Sequence, residues 1–240
     1  MLVLALDTTV QTAAVALCQD EKVVSSFSIC AGNRHSEILL PMIEQMLELS
    51  GYKLDDVELL ACSSGPGSFT GVRIGVATIK GLVFGKDIPC VGVSSLEALA
   101  ESLVDRLGVI CPMIDARREQ VYNALFESDG QTIKRLTEDR VLPCSELDEE
   151  LASLQKPVYL IGENMPDCLS LFSKCKPGHV HTAHCHADGA AVARVALRTL
   201  SDGKEHTDIS LCPSYLRMPQ AERERLEKLK AVAEAAQSQK

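Results

Sequence analysis

The 240-residue chain has no tryptophan, and aromatic residues make up only 4% of it. Any core must therefore be filled by aliphatic side chains, which the 46% hydrophobic content supplies. The chain has no Walker A run, no G-x-S-x-G elbow, no H-E-x-x-H pair and no Gly-Gly pair. These absences remove the P-loop nucleotidases, the α/β-hydrolases and the helical zinc peptidases from consideration. Positive charge is in deficit, 24 Lys and Arg against 33 Asp and Glu, for a net charge of −9. A nucleic-acid backbone wants a basic face, so this chain alone is not expected to grip one. No apolar run approaches a membrane span. Met1–Leu6 is too short for a signal peptide and has no basic lead. With no C-x-x-C pair among ten cysteines, the thiols are expected to be reduced and the protein cytoplasmic. Cys18, Cys30, Cys62, Cys90 and Cys111 sit in or beside apolar segments and read as small buried hydrophobes.

What is present alternates between strand and helix signals. Leu2–Leu6, Thr12–Leu17 and Lys22–Ile29 read as a three-stranded meander whose first turn carries Asp7, Thr8 and Thr9. Arg34–Ser50 reads as a helix stopped by Gly51, and Val57–Cys62 as the next strand. Ile88–Val93 is a strand, followed by a helix to about Leu107. A second cycle opens at Val109–Ile114, with a turn at Asp115-Ala116-Arg117-Arg118 and a strand over Gln120–Phe126. Leu136–Leu142, a helix over Cys144–Leu154, the strand Val158–Ile161 and the helix Asp188–Leu200 complete it. The layout predicts two α/β halves, 1–107 and 108–217, with a charged tail at 218–240 that is helical or disordered.

The stretch Ser63–Gly85 stands at the centre of the first half. Gly65-Pro66-Gly67 is a tight turn after a strand end, and Ser68 is suited to cap the helix that follows. A strand, a glycine turn and a helix N-terminus can together present backbone N–H groups to an anion. The same glycines can instead serve only sharp turning and close packing. The helix Phe69–Phe84 carries just Arg73 and Lys80 as charges, on one narrow line, and is expected to be buried nearly all round. Gly71 and Gly75, and Gly81 and Gly85, lie four apart and offer flat patches to another backbone. Helix Arg34–Ser50 has an apolar arc of roughly 200° on an ideal wheel, wider than a one-sided surface helix needs. Leu39, Leu40, Ile43 and Leu47 are assigned to the core. Ile38, Met42 and Leu49 are assigned to a second face, with Met46 between.

Candidate chemistry is sparse. In actin-like phosphotransferases an Asp-bearing hairpin faces nucleotide phosphates, which makes Asp7, Thr8, Thr9, Gly65 and Gly67 candidate vestigial phosphate contacts; turn capping is the other reading of the first three. Cys175, His179, His181, His184, Cys185 and His186 form a potential metal-binding cluster with no recognisable zinc spacing, and no metal site is assigned to it. Asp115, Arg117 and Glu119 could form an acid/base group or simply a turn, and His35 is read as local capping or a surface contact.

These pieces resemble the TsaB (YeaZ) family. The resemblance is carried by Leu4–Thr9, His35–Pro41, Gly65–Gly75, Gly92–Leu96, Ile114–Arg117 and Tyr215-Leu216-Arg217. It implies an α/β, actin-like/Hsp70-like fold of the ribonuclease H-like class with two similar subdomains. It implies a subunit that is not catalytic by itself and that works with TsaD and TsaE to transfer threonylcarbamoyl to N6 of adenosine 37 in tRNAs reading A-starting codons. Homodimers are expected without TsaD, contact with tRNA only through the complex, and ATP and metal on the partner subunits rather than on this chain. The partner interface it implies lies on the two helices, at Ile38, Met42, Gln45, Leu49, Gly71, Arg73, Gly75, Thr78, Lys80 and Leu82. The catalytic relative carries an H-x-x-x-H metal pair where this chain has Ser95 and Leu99, so the ligands of a glycoprotease-like (M22-type) metallopeptidase are missing. A small actin-fold phosphotransferase or ATPase remains the alternative reading, and behind it a metallopeptidase of the M22 type that would use the His179–His186 cluster.

Overall fold

The computed structural model describes residues 1–30, 32, 34–163 and 170–217. The first sheet forms from β1 (Leu2–Asp7), β2 (Thr12–Gln19), β3 (Lys22–Cys30), β4 (Leu59–Gly65) and β5 (Cys90–Ser94). Its order is β3-β2-β1-β4-β5, with β1 antiparallel to β2 and parallel to β4. Every residue of β1 is buried, as expected of a central strand covered on both faces. On one face lie α1 (His35–Ser50) and α2 (Phe69–Val83), packed through Leu39, Met42, Ile43, Met46, Val76 and Ile79 onto Leu4, Leu6, Val15 and Leu17.

The opposite face is covered from the far end of the sequence. Helix α5 (Gly189–Thr199) lays Ala190, Val192, Ala193, Val195 and Ala196 on Val3, Ala5, Ala16, Leu59, Ala61 and Val91. Small alanines on both sides allow close approach, and Gly189 lies against the backbone of Val15 and Ala16. The cut at Leu107–Gly108 thus separates the strands of the two sheets, whereas the chain beyond residue 188 returns to the N-terminal one.

The second sheet repeats the plan. It contains β6 (Gly108–Asp115), β7 (Gln120–Asn123), β8 (Phe126–Ser128), β9 (Ile133–Arg135), β10 (Arg140–Pro143) and β11 (Val158–Ile161). Strands β10, β7, β6 and β11 stand in the same order and directions as β3, β2, β1 and β4. The single strand expected over Gln120–Phe126 is divided: β7 pairs with Met113–Asp115, and β8 pairs with Gly108–Ile110. Helix α4 (Cys144–Ala152) covers one face. Helix α3 (Ser95–Glu101), shorter than expected, covers the other with Leu96, Leu99 and Ala100 against Ile110, Ile114 and Phe126. This doubled unit is the actin-like plan.

Polar contacts fasten the halves together. Arg135 binds both Glu97 and Asp139, and Asp139 accepts from Ser94 Oγ at the α3 cap. The buried Glu101 accepts from Arg194 and Arg198 and joins α3 to α5. Glu163, after β11, accepts from the backbone N–H and hydroxyl of Thr12.

Candidate functional site

The parallel strands β1, β4 and β5 all end on one rim of the first sheet, and α1, α2 and α3 all begin there. Asp7 sits on this rim and is buried. Its Oδ1 accepts from the Thr9 amide and hydroxyl, both at 2.7 Å, and its Oδ2 accepts from Ser63 Oγ at 2.5 Å. Burial lifts the carboxyl above its ordinary value of 3.8. The bonds from Ser63 and Thr9 oppose that rise, and the Glu163 charge adds to it. Thr8 donates its hydroxyl to the Gly71 carbonyl at 2.7 Å, and Ser68 N–H donates to the Thr9 carbonyl at 2.8 Å.

The five candidate phosphate contacts do converge, but on each other. The Asp7 oxygens and the Thr8 and Thr9 hydroxyls all have partners within the fold, and Pro66 has no N–H to offer. A Cβ on Gly67 would meet the Thr9 carbonyl oxygen at 2.5 Å. One on Gly65, whose φ is +120°, would collide with the Ser214 carbonyl. The turn is shaped for packing.

Gly71 and Gly75 are consumed in the same way, which corrects their assignment to a partner interface. A Cβ on Gly71 would overlap the Thr8 carbonyl oxygen, and one on Gly75 would lie 2.7 Å from Thr8 Oγ1. Both glycines let α2 press against the β1–β2 turn. Met42 is corrected too: it is 4% exposed and belongs to the core, whereas Leu40, assigned to the core, is 48% exposed. The buried positions of α1 are His35, Leu39, Met42, Ile43, Met46 and Leu47, a single stripe at helical spacing, so His35 is not a surface contact.

The other assigned interface positions lie toward solvent. Gln45 and Leu49 are exposed, and Ile38, Thr78, Lys80 and Leu82 are half-buried. The expectation that α2 is buried nearly all round does not hold, because Thr70, Arg73, Ala77 and Gly81 form an exposed stripe of mostly small residues. Gly81 has open space where a Cβ would stand. Phe84, which caps α2, is 85% exposed and Leu49 is 74% exposed. Helices α1 and α2 pack side by side on one face of the first sheet, so they present one outer layer.

Arg73 is exposed yet occupied. Its guanidinium lies 3.8 Å from the Phe69 ring centroid, and its Nε donates to Tyr215 Oη at 2.8 Å. The turn Asp115–Glu119 is exposed apart from Ala116, with Asp115 Oδ1 accepting from the Arg117 amide. The His and Cys cluster does not converge. Cys175 is in the second core, the four histidines are outside it, and His181 Nδ1 accepts from the Ala183 amide. Among the described residues no three His, Cys, Asp or Glu side chains come together as a metal-holding group. Ser95 and Leu99 are both buried in α3. Cys30 is exposed at the sheet edge, contrary to expectation. Among the described residues no helix is long and apolar enough to cross a membrane.

Comparison with known proteins places the chain. The tRNA threonylcarbamoyladenosine biosynthesis protein TsaB of Bacillus subtilis is 31% identical over 233 residues, covering 96% of this chain and 100% of the relative. The chain belongs to the TsaB (YeaZ) family. The Escherichia coli TsaB is 40% identical over 135 residues, 55% of this chain and 58% of that protein. The family model of the tRNA N6-adenosine threonylcarbamoyltransferase TsaD matches residues 29–223. The structure of YeaZ from Pseudomonas aeruginosa superimposes with a TM-score of 0.77 at 24% identity, covering 90% of this chain and 99% of that one. That likeness carries the fold.

Sequence reasoning missed Ser63 and Glu163 as neighbours of Asp7, since 56 and 156 positions separate them from it and only the sheet brings them together. It also missed that Phe84, at the end of α2, stands open to solvent.

Proposed function

We propose that the chain is a rigid, non-catalytic subunit that docks on a TsaD-type transferase and activates it for threonylcarbamoyl transfer to adenosine 37 of tRNA. The observation that carries this reading is the outer layer of α1 and α2. It sets two large open apolar side chains, Leu49 and Phe84, beside a stripe flat enough for another helix to approach. Burying each such side chain contributes about 1.5–3 kcal/mol. The braces through Arg135, Glu101 and Glu163 favour a scaffold over a hinged enzyme. The match of a transferase model to this chain supports a partner of the same fold, which pairs by equivalent faces. TsaE, a homodimer in the absence of TsaD, and a cytoplasmic place belong to the same proposal. ATP and metal would be held by the partner subunits, and tRNA would be met only within the complex.

The test is to mix the full chain with a cognate TsaD and measure size and tRNA modification. Leu49→Asp and Phe84→Asp should each weaken association at least ~10-fold, one anchor's loss of about 1.4 kcal/mol or more, with thermal stability nearly unchanged. Undiminished association in the double variant would refute the interface. ATP hydrolysis by the chain alone would favour a phosphotransferase instead.

A further inference from the structure

Ser214–Arg217 touches three separate elements, β4, α2 and the β6–β7 turn, and meets the docking layer at Arg73. The segment follows a strap that begins beside β5, where the Cys90 amide donates to the His206 carbonyl. Leu211 is buried in the first core against Gly92. Ser214 N–H then donates to the Ser64 carbonyl at 2.7 Å, beside the glycine turn. The Tyr215 ring lies 4.9 Å from that of Phe69 on α2 and its hydroxyl accepts from Arg73. Arg217 Nη1 donates to the Ala116 carbonyl at 2.7 Å, in the β6–β7 turn of the other half.

That turn is strained. Arg117, Arg118 and Glu119 have φ of 63°, 56° and 57°, three consecutive side-chain-bearing residues in the left-handed region. Such a run persists only when its surroundings over-determine it. Two of its outer restraints are visible: Arg217 on the Ala116 carbonyl, and the Cys144 amide on the Glu119 carbonyl. The first is the only one of these two that also leads to α2.

We propose that Ser214–Arg217 is a clasp that holds the β6–β7 turn in its left-handed form and couples that turn to the open face of α2. The turn is the two-state element, strained when clasped and relaxed when released. Arg73 is the point at which an event on α2 enters the clasp, and Arg217 is where it leaves. The clasp itself is independent of what docks on α2; its use as a relay rests on the docking reading above.

Hydrogen exchange on the full chain tests the clasp without any partner. Arg217→Ala should speed exchange of the turn amides 115–120 by about tenfold, the loss of one charged hydrogen bond. Exchange in β1, β2 and α5 should stay as in the parent. Tyr215→Phe keeps the ring and removes only the Arg73 bond, so its effect at the turn should be smaller, about threefold, and Arg217→Lys should restore part of the protection. Unchanged turn exchange in Arg217→Ala overturns the clasp. If that variant fails to fold, unchanged turn exchange in Tyr215→Phe does so. For the relay, a bound TsaD-type subunit should alter turn exchange in the parent and not in Arg73→Ala. A partner that binds both equally well and leaves the turn unchanged in the parent overturns the relay while leaving docking intact.

Discussion

The β1–β2 turn and the β6–β7 turn occupy the same place in the two repeats, and each opens with an Asp at the end of a central strand. Asp7, Thr8 and Thr9 are 2%, 0% and 1% exposed, bonded to Ser63 and Gly71. Asp115, Arg117, Arg118 and Glu119 are exposed, and the last three are left-handed. The difference lies in what packs above each turn. Over the first, α2 descends until Gly71 meets the Thr8 backbone and Gly75 its hydroxyl. Over the second, a strap residue, Arg217, bonds the turn from outside. A duplicated frame has kept its strand order while one turn was closed by packing and the other left open under strain.

The sharpest way to break this comparison is to reverse the glycine chemistry. Gly71→Ala puts a methyl group onto the Thr8 carbonyl, which neither backbone can yield. It should cost about 3 kcal/mol in urea unfolding, at the upper end of overpacking penalties. Gly75→Ala meets a hydroxyl and the Leu6 Cδ1, which can shift, and should cost about 1–2 kcal/mol. Equal, negligible effects would mean that the first turn is not held by close packing.

Much of this frame was legible in the sequence. The strand–turn–strand pattern, the Ser68 cap, the Gly51 stop and the second cycle at residue 108 all follow from local chemistry, and each is present. Ser68 accepts from the Gly71 amide, and Gly51 takes φ 73°. What was not legible depends on the far end of the chain. The apolar wheel of α1 could not decide between Leu40 and Met42, because that depends on how the helix is rolled against β2 and β3. The roles of Gly71 and Gly75 were misread for a similar reason. A flat helical patch is the same in sequence whether it meets a partner or its own sheet, and here it meets Thr8. Nor does helix Gly189–Thr199 announce that its alanines fit the first sheet.

In the open turn the opposite substitution should help. Arg118 has φ 56°, and a left-handed residue with a Cβ costs about 1–2 kcal/mol that glycine does not pay. Against this, glycine adds about 0.5–1 kcal/mol of freedom to the unfolded chain. Arg118→Gly should therefore stabilise the fold by about 0.5–1 kcal/mol in the same unfolding measurement, the reverse in sign of Gly71→Ala. A destabilised Arg118→Gly would show that the side chain holds the turn and that the strain lies elsewhere.

The smallest effect should come from the charge of Asp7 in the closed turn. Burial raises the Asp7 carboxyl above 3.8. A carboxyl whose folded value is raised binds its proton more tightly in the folded state. Its contribution to stability is then fully present below the unfolded value and is lost as pH rises through the folded one. Asp7→Asn has no such proton to bind. The stability of the parent relative to Asp7→Asn should consequently grow as pH falls from 7 toward 4, with its steepest change between the raised folded value and 3.8. Thermal melts of Asp7→Asn against the parent at several pH values check this. A flat Asp7→Asn difference would mean that the bonds from Thr9 and Ser63 offset burial fully.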